Sequence, residues 1–294
     1  MHNGILVVDK PSDWTSFDVI AKMRGVLKTK KIGHSGTLDP MATGVLPLFI
    51  GPAARAVDMQ TNHQKAYTAH ILLGKKTDTA DITGEVLDTC DKIISEDEFK
   101  NILPSLCGEQ LQMPPMYSAI KINGQALYKL ARKGIEIKRE PRKIEIFAID
   151  FVGKVAENEY EINIKCSKGT YIRVLAEDIG TALGTLATMS ALRRTQSGAY
   201  LIENAMTLEE IYKANESGNI DDFLLPISTV FTDFEKINVT EEQKQRLMNG
   251  AASYMKKPDG EYAIYCEKDF LGLATVLENE MTVKKLFVER AGMK

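Results

Sequence analysis

Four glycines and two prolines fall within the nineteen residues 33–51, GHSGTLDPMATGVLPLFIG. Together they dictate a sharply bent backbone. Each glycine admits positive φ at an entropic cost, and Pro40 confines Asp39 to extended or turn geometry, outside any helix interior. Residues 45–50 form a short apolar run that reads as a buried strand. One carboxylate, Asp39, is therefore fixed on a rigid loop directly ahead of a core strand. Such a placement presents a nucleophile or a base. It serves equally well for an Asx-turn, in which the carboxylate only bonds nearby amides.

Around this loop the periodicities are mixed. Residues 4–8 read as a first strand, running into the Lys10-Pro11 turn, and residues 65–74 as a second, followed by a polar turn over 75–84. Residues 160–166, YEINIKC, alternate with period two and so bury one face. Helical spacing is expected at about 16–28, 95–106, 124–133, 171–183 and 207–214. Strands and helices without regular βαβ alternation predict an α+β domain on a largely antiparallel sheet. A basic excursion over 114–143, with glycine and proline at its ends, interrupts it. Residues 237–294 read as a separate small β-rich module, with strands at 237–239, 261–266, 270–277 and 283–289 and a helix near 240–248.

No apolar run approaches the roughly 18 residues needed to span a bilayer, and residues 1–10 lack the pattern of a signal peptide. Cys90, Cys107, Cys166 and Cys266 are far apart, with no metal-ligand spacing. These features predict a cytoplasmic protein with reduced thiols and no bound metal. A net charge of −3 argues against a nucleic-acid partner until its distribution is considered. Residues 201–242 carry ten acids against two lysines, whereas residues 111–145 carry eight Lys/Arg against three Glu. The acidity is confined to one segment. No heptad or apolar stripe is evident, so a monomer is expected.

The loop GHSGTLDPMATG resembles the catalytic motif of the TruB family, the tRNA pseudouridine-55 synthases. MYSAIKINGQALY in the excursion, CSKGTYIR at 166–173 and LRRT at 192–195 resemble that family in the same order. The resemblance implies a pseudouridine synthase catalytic domain over 1–232, a mostly antiparallel mixed sheet whose thumb insertion at about 114–143 closes over RNA. It also implies a PUA-like RNA-binding domain over 237–294. Implied too is an aspartate-dependent isomerisation of uridine 55 in the tRNA T-loop, with base flipping and without a cofactor, metal or protein partner.

By the same resemblance, Asp39 is the catalytic carboxylate, Arg173 its ion-pair partner, and Tyr67 stacks on the target base. Base–aromatic stacking is worth about 1–3 kcal/mol. Tyr171 lines the pocket, Leu192 lies beside the uridine, and His34 contacts the T-loop where bases have flipped out. Arg193 and Arg194 are phosphate candidates. Lys10-Pro11 and the Asp78/Asp81 turn are expected to be structural. Three rivals stay in view: the related RNA-guided catalytic subunit, an RNA-binding module without catalysis, and an unrelated hydrolase with an aspartate nucleophile.

Overall fold

The computed structural model describes residues 2–60, 64–122 and 124–288. Asn123 of the thumb motif and the end of the expected strand 283–289 lie outside them.

A nine-stranded sheet organises the first 200 residues. Its principal strands are β1 (Gly4–Lys10), β2 (Thr43–Ile50), β3 (Lys65–Leu73), β4 (Gly108–Gln112), β5 (Arg142–Ala156), β6 (Glu159–Cys166) and β7 (Ala187–Ser197). They lie in the order β1-β2-β7-β3-β6-β5-β4. Every neighbouring pair is antiparallel except β2 and β7, which run parallel at Thr43 and Gly44. The sheet is thus mixed and mostly antiparallel, as the sequence predicts.

Among the described residues the six α-helices are α1 (Ser16–Val26), α2 (Glu96–Ile102), α3 (Leu127–Ala131), α4 (Ile172–Ala182), α5 (Leu208–Glu216) and α6 (Glu241–Met248). Four of them start on a reciprocal capping box, formed by Thr15 and Asp18, Ser95 and Glu98, Thr207 and Glu210, and Thr240 and Gln243. Each box satisfies amides that the first turn leaves unpaired. Helix α4 has no such side-chain cap. Instead, the Gln112 side chain accepts from Tyr171 N at 2.8 Å and donates to Tyr171 O at 3.1 Å, binding the helix entry to the end of β4.

Two modes of burial divide the sheet. Strand β2 is covered on both faces, by Val19, Ile20 and Met23 of α1 on one side and by Phe231 and Phe287 on the other. Strand β3 alternates, burying Tyr67, Ala69, Ile71 and Leu73 against α4 while the intervening residues stay partly exposed. Residues 75–84, expected to be a plain turn, contribute Lys75–Thr77, which pairs with Val86–Thr89.

Strands β5 and β7 were not expected from the sequence. Bulges interrupt the register of both, at Ile146/Ala148 and Phe151/Gly153 in β5 and at Met189/Ala191 and Arg194/Gln196 in β7. The period-two signal breaks with them.

A second, five-stranded sheet comprises β8 (Lys236–Asn238), β9 (Ser253–Tyr254), β10 (Gly260–Cys266), β11 (Asp269–Leu277) and β12 (Glu280–Leu286), in the order β8-β10-β11-β12-β9. Ala263, Leu273 and Phe287 pack into one cluster with Ile5 and Phe49 of the first sheet. Among the described residues no helix is long and apolar enough to cross a membrane.

Candidate active site

The loop that carries Asp39 is held from several sides. Lys10, fully buried at the end of β1, donates from Nζ to the carbonyls of Pro11 at 2.8 Å, Trp14 at 2.5 Å and Pro40 at 3.0 Å. Ser16 Oγ accepts from Leu38 N at 2.9 Å, and Arg194 donates to Gly36 O at 3.1 Å and to Val45 O at 2.7 Å. Gly44 has φ +100, and a Cβ there would collide with the backbone of Arg194, so only glycine lets the loop close onto β7. The carboxylate bends back from a rigid mount.

Arg173, in the first turn of α4, meets it. Its Nε lies 2.9 Å from Asp39 Oδ2 and 3.7 Å from Asp81 Oδ2. Its two other nitrogens donate to Thr79 O at 2.9 Å and Tyr117 O at 2.7 Å. The arginine side chain is 5 % exposed and that of Asp39 35 %, so one partner is fixed inside while the other reaches the opening. The Asp81 turn is structural, as expected: its Oδ1 accepts from Thr83 N at 3.0 Å and from Thr79 Oγ1 at 2.8 Å. Its other oxygen faces Arg173, a contact that sequence reasoning did not foresee.

Asp39, Tyr67, Tyr171, Arg173 and Leu192 line one cavity of about 340 Å³, with Ser118 of the thumb root at its edge. That volume lies within the ~300–1,000 Å³ usual for small-ligand sites. Register explains the convergence. Leu192 pairs with Ala69 and Arg194 with Tyr67 across β7 and β3, and alternate residues of a strand share a face. Two larger clefts, about 1020 and 1170 Å³, lie where the two sheets meet. Neither sets a carboxylate against a buried arginine.

Electrostatics divide the cavity. Burial raises the pKa of Asp39 above its ordinary value, and nearby Asp81 adds to the rise, while Arg173 opposes it. Burial pushes the Tyr67 phenol up to about 12, against the lowering influence of Arg194. Tyr67 therefore stays protonated and can donate a hydrogen bond.

Not all expected residues arrive together. Arg194, a phosphate candidate from the sequence, is 0 % exposed and supports Gly36, Val45 and the region beneath Tyr67. It cannot reach a surface phosphate. Arg193, on the opposite face of β7, makes two contacts to Asp9, at 2.6 and 3.1 Å, which answer its charge. His34 lines a neighbouring cavity of about 620 Å³ rather than the pocket itself, and burial lowers its pKa so that it is neutral near pH 7.

The sequence matches the model of the TruB family pseudouridylate synthase N-terminal domain over residues 24–172. The chain belongs to the TruB family. The tRNA pseudouridylate synthase B C-terminal domain model of the same family matches residues 173–232. A relative from Clostridium tetani, named tRNA pseudouridine synthase B, is 44 % identical over 97 % of this chain and the whole of its own length. One from Staphylococcus haemolyticus, of the same name, is 44 % identical over 85 % of both chains. Among solved structures, a Cbf5-Nop10-Gar1 complex contains a chain that superposes with a TM-score of 0.74 at 25 % identity, over 98 % of this TruB-family chain and 85 % of that one. An H/ACA RNP bound to a substrate RNA containing 2′-deoxyuridine contains another, with a TM-score of 0.75 at 23 % identity, over 98 % and 86 %. The latter likeness is one of fold.

Proposed function

We propose that the chain converts uridine 55 of the tRNA T-loop to pseudouridine, with Asp39 as the group that acts on the sugar. One observation carries the reading: Asp39 is held 2.9 Å from a buried arginine, in a cavity that also presents Tyr67. Membership of the TruB family and relatives named tRNA pseudouridine synthase B support the reaction and the RNA class.

The reaction breaks the N1–C1′ bond, turns the uracil, forms a C5–C1′ bond, releases the C5 proton and leaves a proton on N1. Electrons and atoms balance without an oxidant or a co-reactant. Asp39 serves it either by attacking the sugar or by taking a proton from it, and both routes require the ionised carboxylate. Tyr67 offers a face on which the detached base can stack and a phenol that stays protonated. Leu192 and Tyr171 close the sides against loss of the free uracil.

Reaching the pocket requires the uridine to leave its stack, at a cost of a few kcal/mol that is smallest in an unpaired loop. His34, in the adjoining cavity, is placed to meet the RNA beside the flipped nucleotide. The thumb over 114–143 closes on the strand, since Tyr117 O and Ser118 at its root already form part of the site. The module over 237–294 adds RNA contacts to a catalytic domain over 1–232. The enzyme acts as a cytoplasmic monomer, without a protein partner or a cofactor.

The decisive experiment is incubation with an unmodified tRNA transcript carrying tritium at uridine C5, in buffer containing EDTA. Tritium release mapped to position 55 is the expected result. Release elsewhere overturns the site, and tight RNA binding without release leaves only a binding module.

A further inference from the structure

Lys65 opens β3 two residues before Tyr67, so both side chains leave the same face of the strand. It lines the catalytic cavity and also the neighbouring cavity of about 620 Å³, and so stands in the passage between them. Its ammonium presses against Gly36 of the catalytic loop, where a Cβ would collide with Nζ. No ion pair or hydrogen bond joins it to a carboxylate among the described residues. The charged side chain that bears on it most is Arg194, of the same sign. Burial and that neighbour push Lys65 down to about 7.

An ammonium in this position is costly to the free protein, because buried charge is tolerated when it is paired. Among the described residues nothing around it supplies the partner. The second cavity is mostly of the same sign: Arg142, Lys143 and Lys168 line it against one carboxylate, Asp58, and among the described residues only Lys143 of these three cations is paired, with Glu109 at 2.7 Å. Lys65 stands beside the seat that Tyr67 offers a base, and the cavity beyond it is lined by Arg142 and Lys168.

We infer that the passage between the two cavities is a phosphodiester-binding site, in which Lys65 holds one backbone phosphate next to the flipped nucleotide and so positions the sugar at Asp39. The inference rests on the proposed function and adds a ligand group and a residue to it. An ammonium–phosphate contact made in a dry site is strong, and such backbone contacts fix register though they carry no sequence information.

The test pairs Lys65→Met with tRNA T-arm stem-loops bearing a neutral methylphosphonate at one backbone position at a time, read by tritium release and by filter binding. For wild type, one position beside the target lowers kcat/KM about 10- to 100-fold, the scale of losing a hydrogen bond between charged groups. The substitution causes a loss of the same size, and adding the methylphosphonate at that position to Lys65→Met costs no more than about twofold further. The salt dependence of binding flattens by about one phosphate contact. A merely structural lysine would lower Tm on removal; here Tm of Lys65→Met equals or exceeds wild type, because an unanswered charge has gone. Wild-type kinetics in Lys65→Met overturn the inference, as does a methylphosphonate loss that multiplies fully with the substitution at every position. Should Lys65→Met not fold, the scan is read on wild type and Lys65→Gln, and the absence of any single sensitive phosphate overturns it. Failure of wild type itself to release tritium strikes the proposed function instead, and filter binding then tests the phosphate contact alone.

Discussion

The ammonium of Lys10 lies 3.0 Å from the carbonyl oxygen of Pro40, and so the end of the first strand grips the residue directly after Asp39. Three carbonyls converge on that one nitrogen, and the side chain that brings it there is fully buried. The loop that carries Asp39 is thus held in part by a buried cation at the end of the first strand.

Lys10→Met keeps the aliphatic stem and removes the nitrogen. Each buried carbonyl left without a donor costs about 1–3 kcal/mol, so the three together are expected to lower stability by several kcal/mol. The loss should appear as a reduced urea midpoint at unchanged m-value. Turnover should fall further than stability requires, because Asp39 loses its mount while Arg173 stays in place. Full activity in a folded Lys10→Met protein would contradict this arrangement.

Asp39→Asn is expected to abolish tritium release, by more than about 10³-fold, with RNA affinity within a few-fold of wild type. Its stability carries a second, independent sign. The pKa of Asp39 is raised in the folded protein, so at neutral pH the ionised carboxylate opposes folding, and the opposition fades as pH falls through that pKa. The neutral amide should therefore match or raise Tm at pH 7, and the difference from wild type should shrink on acidification. Retained turnover would refute the chemical assignment; a large drop in Tm would refute the electrostatic one.

The parts of this architecture written in local pattern were legible from the sequence. Glycine and proline around Asp39 specify its loop, a strand-like run marks the segment through Tyr67, period-two alternation marks the strand ending at Cys166, and the six expected helices fall within a few residues of their places. What failed depended on tertiary context. Bulges break the alternation of Arg142–Ala156 and Ala187–Ser197, so neither strand announced itself. Arg194 has the residue type of a surface cation, and only the assembled sheet shows that it supports Gly36 and Val45 from inside. Gln112 carries no signal in the sequence, yet it caps the entry of the helix that carries Arg173. For Lys65 a signal existed in the chain: it lies two residues before Tyr67, on the same face of one strand.

Arg173→Lys is expected to keep a positive charge while losing the fork that reaches Asp39, Thr79 O and Tyr117 O together. The pH–rate profile separates this effect from misfolding. Only the ionised carboxylate works, so the single-turnover rate falls as pH drops through the raised pKa of Asp39, an acidic limb above the ordinary carboxylate value of 3.8. Arginine is the main group that lowers that pKa; weakening its contact moves the limb to higher pH. The rate on the alkaline plateau should fall about 10- to 100-fold. An acidic limb unmoved in the variant would show that Arg173 does not govern the ionisation.

Gly44→Ala tests the loop from its far end. At φ +100 an alanine is strained, and its Cβ would enter the backbone of Arg194 on the neighbouring strand. Neither partner is a flexible side-chain tip, so the parallel pairing of Gly44 with Arg194 must open to make room. The expected cost is about 2–4 kcal/mol, from backbone strain and overpacking combined. The rupture lies at the joint that supports both Asp39 and Arg194, so activity measured well below Tm should also fall, with RNA affinity less affected. A Gly44→Ala protein with wild-type Tm would mean that the loop and the strand are not locked together at this point.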